Sequence, residues 1–272
     1  MNYLCLDLFL TDIILLGTMK KLVQDFEVLQ RKELNDDHFV LDVKALEPLP
    51  EIRPGQFVNV LVKDSNTTFL RRPLSIHFVD YERNTISLYI KKIGDGTKKL
   101  GELKEGDSLN IVYPLGNQYS IPNNANTLLV GGGCGVAPLL YLAKHLKEAG
   151  NNVTTLLGVR SEKDAVELDA YKEYGNILVT TEDGSFGEKG YPTQHSILEK
   201  EKFDYVFTCG PEPMMKAVAA YSAQNNIPCE VSLENTMACG FGACLCCVTE
   251  TTEGNKCTCT EGPVFNINDL KW

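Results

Sequence analysis

From residue 239 the chain reads CGFGACLCC, and CTC follows at 257–259, so six of its ten cysteines crowd into one stretch. Thiols in such numbers serve disulfides, zinc or an iron–sulfur cluster. The spacing Cys239-x4-Cys244-x2-Cys247, followed by a later cysteine, is the plant-type [2Fe–2S] pattern. Gly240 and Gly242 suit it, because a loop around a cluster brings backbone amides close to sulfur without side-chain clash. Zinc favours two C-x2-C knuckles. Here the first interval is four residues and the second half offers Cys257-x-Cys259. A zinc site and metal-free thiols remain the alternatives. Either Cys257 or Cys259 can be the fourth ligand, with Cys246 spare.

Four further stretches have the chemistry of a dinucleotide site. GGGCGVAPL (131–139) stands between an apolar run and a helical one, where glycines let a phosphate approach a helix N-terminus. It departs from G-x-G-x-x-G at Val136, and the next strand ends in GVRS with Arg160 instead of an acid. RRPLS (71–75) offers guanidinium and hydroxyl donors suited to a diphosphate, or simply an exposed Arg pair beside an edge proline. KKIGDGTKKL (91–100) reads as a phosphate cradle or an ordinary turn. CGPEPMM (209–215) sets Cys209 at a strand end, where open α/β sheets bind ligands, with Met214 and Met215 expected in the core.

Two kinds of element must position these groups. DFEVL (25–29), HFVLDV (38–43), QFVNVLV (56–62), TISLYI (85–90) and SLNIV (108–112) alternate with Pro-Gly and Gly-x-Gly turns, which predicts an antiparallel barrel. From Thr127, TLLV (127–130), VTTLLGV (153–159), NILVTT (176–181), YVFTC (205–209) and CEVSL (229–233) alternate with helical segments such as 139–150 and 212–226. That pattern predicts a parallel sheet covered on both faces. The fold class is therefore β barrel plus α/β: barrel 19–123, nucleotide-binding domain 124–233 and a small C-terminal loop domain 234–272.

The chain has 272 residues, 43% of them hydrophobic, and a formal charge of −10 with both signs interspersed. Phosphate-backbone binding is thereby disfavoured, and no nucleic-acid partner is expected. Residues 3–18, YLCLDLFLTDIILLGT, are interrupted by Asp7 and Asp12 and lack a basic start. They match neither a transmembrane helix nor a signal peptide. Residues 1–18 read as an extension before a natural start at Met19. A cytoplasmic protein with no membrane association is expected, where disulfides are rare.

The order R-P-L-S, G-x-G-T, G-G-G-x-G-x-A-P, C-G-P-x-x-M, C-x4-C-x2-C resembles the ferredoxin–NADP reductase superfamily. More narrowly, ENTMACGFGACLCC, CTEGPVF and TTEDGSFGEKGYPT (180–193) resemble the iron–sulfur electron-transfer subunits of the NAD-linked dihydroorotate dehydrogenases. The resemblance covers about residues 20–272. It implies that Arg72, Pro73, Leu74 and Ser75, then Tyr89, Ile90 and Lys91, then Gly96 and Thr97 hold FAD in the barrel. Gly132, Gly133 and Gly135 would line the NAD crevice, with Cys209 and Gly210 near the nicotinamide. The cluster ligands would be Cys239, Cys244, Cys247 and Cys259, the last selected by the Glu-Gly-Pro-Val-Phe stretch one residue beyond it. FAD, [2Fe–2S] and NAD are the implied cofactors, FAD converting between hydride and single electrons. A β/α barrel of about 250 residues has no room in this chain. The resemblance therefore implies an FMN-bearing catalytic partner in a heterotetramer of two copies of each subunit, with electrons running from dihydroorotate to NAD in pyrimidine biosynthesis. The alternatives are a subunit of an NADPH-dependent sulfide dehydrogenase or transhydrogenase-type complex, and a zinc-stabilised binding module without redox chemistry.

Overall fold

The first half has six strands, β1 (Leu22–Glu33), β2 (His38–Ala45), β3 (Phe57–Val60), β4 (Arg72–Asp80), β5 (Thr85–Lys91) and β6 (Ser108–Leu115); five carry the alternating runs, and β4, which opens on the R-P-L of the R-R-P-L-S stretch, is the sixth. In the computed structural model, which describes residues 21–271, they close into a barrel in the order β1-β2-β5-β4-β3-β6. Every pair is antiparallel. The expected extension 1–18 lies outside the described residues. The period of two decides what each strand offers. On β5, Ile86, Leu88 and Ile90 enter the barrel core, leaving Tyr89 and Lys91 on the outer face. A short helix, α1 (Asp95–Leu100), follows β5 and buries Leu100 in the same core.

The second half builds a seven-stranded sheet from β7 (Asn126–Gly132), β8 (Asn152–Val159), β9 (Asn176–Thr181), β10 (Glu188–Lys189), β11 (Tyr205–Cys209), β12 (Cys229–Ser232) and β15 (Val264–Asn266). Their order is β10-β9-β8-β7-β11-β12-β15, with only the β12–β15 pair antiparallel. Along β7, Leu128 and Val130 face one layer and Leu129 the other. Helices α2 (Leu139–Glu148) and α3 (Leu168–Lys172) cover the Leu129 face. Helices α4 (Ile197–Lys200) and α5 (Glu212–Gln224) cover the opposite one. The strand order reverses direction at β7, and a crevice opens beyond the carboxyl ends at such a point.

The cysteine-rich tail contributes a hairpin, β13 (Val248–Thr251) and β14 (Gly254–Cys257). It does not stand apart from the sheet, since β15 returns to pair with β12. Asn117, just after the barrel, secures that return: its Nδ2 donates to the carbonyls of Glu261 (2.9 Å) and Val264 (2.8 Å), and its Oδ1 accepts from the Val264 N–H (2.9 Å).

Barrel and sheet are packed through aromatic and charged groups. Phe78 of β4 meets Tyr141 of α2 edge-on at 5.8 Å, and the Tyr141 hydroxyl donates to the Ile52 carbonyl at 3.2 Å. Beside them, Glu167 accepts from Lys32 of β1 at 2.7 Å and lies 3.5 Å from His77 Nε2 of β4. Among the described residues, no helix is long and apolar enough to cross a membrane.

Candidate functional site

A groove of about 270 Å³ runs between barrel and sheet, lined by Pro73, Leu74 and Ser75 of β4, Tyr89 and Lys91 of β5, and Thr97 of α1. The sheet side contributes Cys134 and Ala137 from the glycine loop, and the tail contributes Glu234 and Met237. These are the residues expected at a flavin site, now gathered on one wall. Burial pushes the Tyr89 phenol well above its ordinary range, so it remains a neutral hydrogen-bonding group.

Three expected members of this group play different parts. Ile90 is buried in the barrel core, so only its main chain can face the groove. The bulk at Gly96 is excluded by Arg72, whose Cδ lies 2.9 Å from where a Cβ would stand. The two arginines of R-R-P-L-S separate clearly. Arg71 donates to the carbonyls of Asn59 and Asn110 and to Asn110 Oδ1, bracing β3 against β6. Arg72, half-buried beside α1, is the one left for an anion.

The crevice beyond β7 has a volume of about 400 Å³ and is lined by Gly132, Gly158, Glu182, Tyr191, Met214 and Ala217 among others. Gly132 thus reaches it directly, whereas Gly135 acts beneath: a Cβ there would stand 2.1 Å from the Cys209 carbonyl oxygen. Gly133 has φ +56° and open space at its Cα. Met214, expected in the core, packs against it partly buried and also lines the crevice with its sulfur against Gly132, while Met215 is buried as expected. An acid does reach this crevice. It is Glu182, from the end of β9 rather than β8, and sequence reasoning missed it by looking one strand too early. Among the described residues, no lysine, arginine or histidine lines the crevice, and Arg160 is absent from its walls.

Cys209 is buried, and its Sγ lies 3.9 Å from Glu234 Oε1. Burial first, then the Glu234 charge, pushes its thiol well above the ordinary range, which makes it a neutral packing and hydrogen-bonding group, not a nucleophile. Glu234 opens onto the groove between barrel and sheet and, with Gly210, onto a neighbouring cavity of about 450 Å³. Loss of hydration raises its carboxyl above the usual range.

The cysteine loop fits a two-iron cluster in its pairing. Cys247 and Cys259 lie together in one buried cluster, with the Cys259 N–H 3.4 Å from the Cys247 sulfur, and Cys239 and Cys244 are near enough to act on each other, as Cys239 acts on Cys259. Two pairs match two irons, one pair each. Among the described residues, no three His, Cys, Asp or Glu side chains converge on a single-ion site. Burial raises the Cys239 thiol, but N–H donors of Phe241, Cys244 and Ala243 and contact with Cys244 outweigh it and hold it at about 6. Cys259 is pushed up to about 12 by burial and then by Cys247, against the opposing Gly242 N–H. Cys257 also touches Cys247, so contact with that ligand does not separate the two candidates. The main chain does favour Cys259, whose N–H donates to the Cys247 sulfur at 3.4 Å and so holds the residue beside an expected ligand. Cys246 is exposed.

Comparison with known proteins decides the relationship. Residues 25–119 match the oxidoreductase FAD-binding domain, 129–220 the oxidoreductase NAD-binding domain, and 234–271 the iron–sulfur cluster binding domain of dihydroorotate dehydrogenase B. The chain is 34% identical over 259 residues to the dihydroorotate dehydrogenase B (NAD(+)) electron transfer subunit of Shouchella clausii, covering 93% of this chain and 99% of that one. It belongs to that family. The corresponding subunit of Clostridium acetobutylicum is 42% identical over 221 residues, 81% of this chain and 87% of the relative. A chain from the NADH-dependent reduced ferredoxin–NADP oxidoreductase, solved for insight into flavin-based electron bifurcation, superposes with a TM-score of 0.82 at 35% identity, covering 94% of this chain and 91% of that one. Phthalate dioxygenase reductase, 20% identical with a TM-score of 0.60, covering 79% of this chain and 70% of that one, shares the fold. The family's members are oxidoreductase subunits with FAD, NAD and [2Fe–2S] sites, and an electron-transfer subunit works with a separate catalytic one.

Proposed function

We propose that the chain is the NAD-facing half of a two-subunit dihydroorotate dehydrogenase, receiving electrons from an FMN-bearing catalytic subunit in a heterotetramer of two copies of each. The observation that carries this reading is the sharing of walls. Phe57 and Met237 line the flavin groove and also pack with Cys247, Cys257 and Cys259, so a single layer of side chains separates groove from cysteine loop. On the other side, the glycine loop touches the groove through Cys134 and Ala137 and the crevice through Gly132. Bound in these places, the cluster supplies single-electron exchange and FAD its conversion to hydride. The chain's own residues do the positioning: Arg72 and Ser75 for the flavin diphosphate, Tyr89 and Lys91 for its ring system, Cys239, Cys244, Cys247 and Cys259 for the irons. Gly132 and Gly133 leave room for the nicotinamide dinucleotide, Gly135 lets the loop close on the Cys209 strand end, and Gly210 opens the neighbouring cavity. We place the units at 19–123, 124–233 and 234–272, with the last strand of the tail returning to the sheet, and the protein in the cytoplasm.

A second reading has a specific observation behind it, the high overlap with the bifurcating oxidoreductase chain. The crevice argues for NAD over NADP in either setting, since Glu182 would face a 2′-phosphate with no cation on the walls to offset it. The experiment is reconstitution. The purified chain should carry one FAD and two irons, and dihydroorotate should reduce NAD+ only when an FMN-bearing dihydroorotate dehydrogenase subunit is added. A colourless, zinc-loaded chain, or one that couples only to NADPH, would overturn the proposal.

A further inference from the structure

Asn59 of β3 is 1% exposed, and its two polar side-chain atoms are treated differently. Nδ2 donates to the Cys239 carbonyl at 2.9 Å, while Oδ1 is buried without a hydrogen-bond partner. Flipping the amide would oppose two oxygens, so the donor must face the cysteine loop. An unpaired buried amide oxygen is destabilising, and a leucine of similar size would avoid it.

The surroundings indicate what the amide does. Gly240, the residue after the first expected ligand, has φ +79°, and a Cβ there would stand 2.7 Å from Asn59 Nδ2. The loop is therefore shaped to receive this side chain. In the barrel, Asn59 pairs with Pro73 of the R-P-L-S motif, and Arg71 donates to its main-chain carbonyl at 3.3 Å. One residue thus touches the first turn of the cysteine loop and the strand pair that lines the flavin groove.

We propose that Asn59 is a positioning residue for electron transfer: its amide fixes the Cys239–Gly240 peptide against the flavin-binding strands and tunes the cluster held by that loop. This rests on the cluster reading given above. The positive end of the amide points at the loop, and a fixed positive dipole favours the reduced, more negative form of a cluster. Removing it disfavours reduction.

The test compares the native chain with Asn59→Leu and the milder Asn59→Ser, all reconstituted with iron, sulfide and FAD. Iron and flavin content serve as the check on folding, and Asn59→Ser decides the matter if Asn59→Leu fails to load. The expected result is a cluster midpoint potential shifted to a more negative value, with altered g-values in the reduced cluster's paramagnetic resonance spectrum. A fully loaded variant with unchanged potential and spectrum would overturn the role of Asn59. A native chain that assembles no two-iron cluster would instead overturn the cluster reading itself.

Discussion

Cys257 and Cys259 show how much a single position decides. Cys257 ends β14 and Cys259 follows in a tight turn, where the N–H groups of Thr260 and Glu261 both donate to the Cys257 carbonyl at 3.1 and 2.9 Å, and the two residues share one buried cluster with Cys247. The Cys259 N–H donates to the Cys247 sulfur at 3.4 Å, and Cys259 is the more deeply buried at 1% exposure against 9%. Cys259→Ser should therefore bleach or shift the cluster absorption and stop transfer from the partner, while NADH oxidation by an artificial acceptor persists. Cys257→Ser should keep the visible spectrum; the reverse pattern would reassign the ligand. Glu182 makes a comparable claim at the nucleotide crevice. A charge-assisted hydrogen bond to a ribose hydroxyl is worth about 1.5–3 kcal/mol, so Glu182→Gln should lower kcat/KM for NADH by about tenfold or more and erode discrimination against NADPH. An unchanged NADH-to-NADPH ratio would show that the selection is made elsewhere. The cysteine spacing was legible in the sequence because ligand geometry is local. Glu182 was not, because which strand end reaches a crevice depends on the sheet order.

At the scale of elements, periodicity gave five of the six barrel strands and the alternating β and α segments, since burial on one or two faces leaves a direct mark on the chain; β4 was not among the marked runs, its first four residues all being half-buried. It missed β15, three residues long and just past a Gly-Pro turn, because pairing with β12 and the Asn117 side chain hold it rather than its own pattern. It also missed the join between barrel and sheet. Glu167, reached from Lys32 and His77 on two barrel strands, lies just before α3 with φ +62°. His77, 3.5 Å away, opposed by burial and aided by Lys32, lowers its carboxyl from 4.5 to about 2. A carboxyl held low in the folded state stabilises above its unfolded value and loses that contribution as pH falls from about 4.5 towards 2. The shift corresponds to about 3 kcal/mol at neutral pH. Glu167→Gln should therefore lower the melting temperature clearly at pH 7. The gap between native and variant should shrink to somewhat over half by about pH 3.5. A gap that stays constant across that range would mean the ion pair contributes nothing to the join.

Across the whole molecule, crevice, groove and cysteine loop follow one another, which leaves the loop's outer side as the place for a partner. That side is apolar. Phe241 is 49% exposed, Leu245 66% and Val248 40%, and Cys244 is exposed among them. Apolar side chains around a redox centre exclude water once covered, and such residues form the energetic centre of an interface. Leu245 offers the cleanest test because its φ is +56°, a conformation that aspartate adopts more readily than leucine. Leu245→Asp should leave the loop conformation, FAD content and NADH oxidation by an artificial acceptor intact. It should weaken association with the catalytic subunit proposed above and reduce dihydroorotate-dependent NAD+ reduction by about tenfold or more, the effect of losing a central contact of roughly 2 kcal/mol. Because burying an unpaired carboxylate is the cause, raising the concentration of the partner should restore the rate. A variant that binds the partner normally yet fails to couple would place the defect in the cluster instead. One that binds and couples normally would move the docking surface away from this loop.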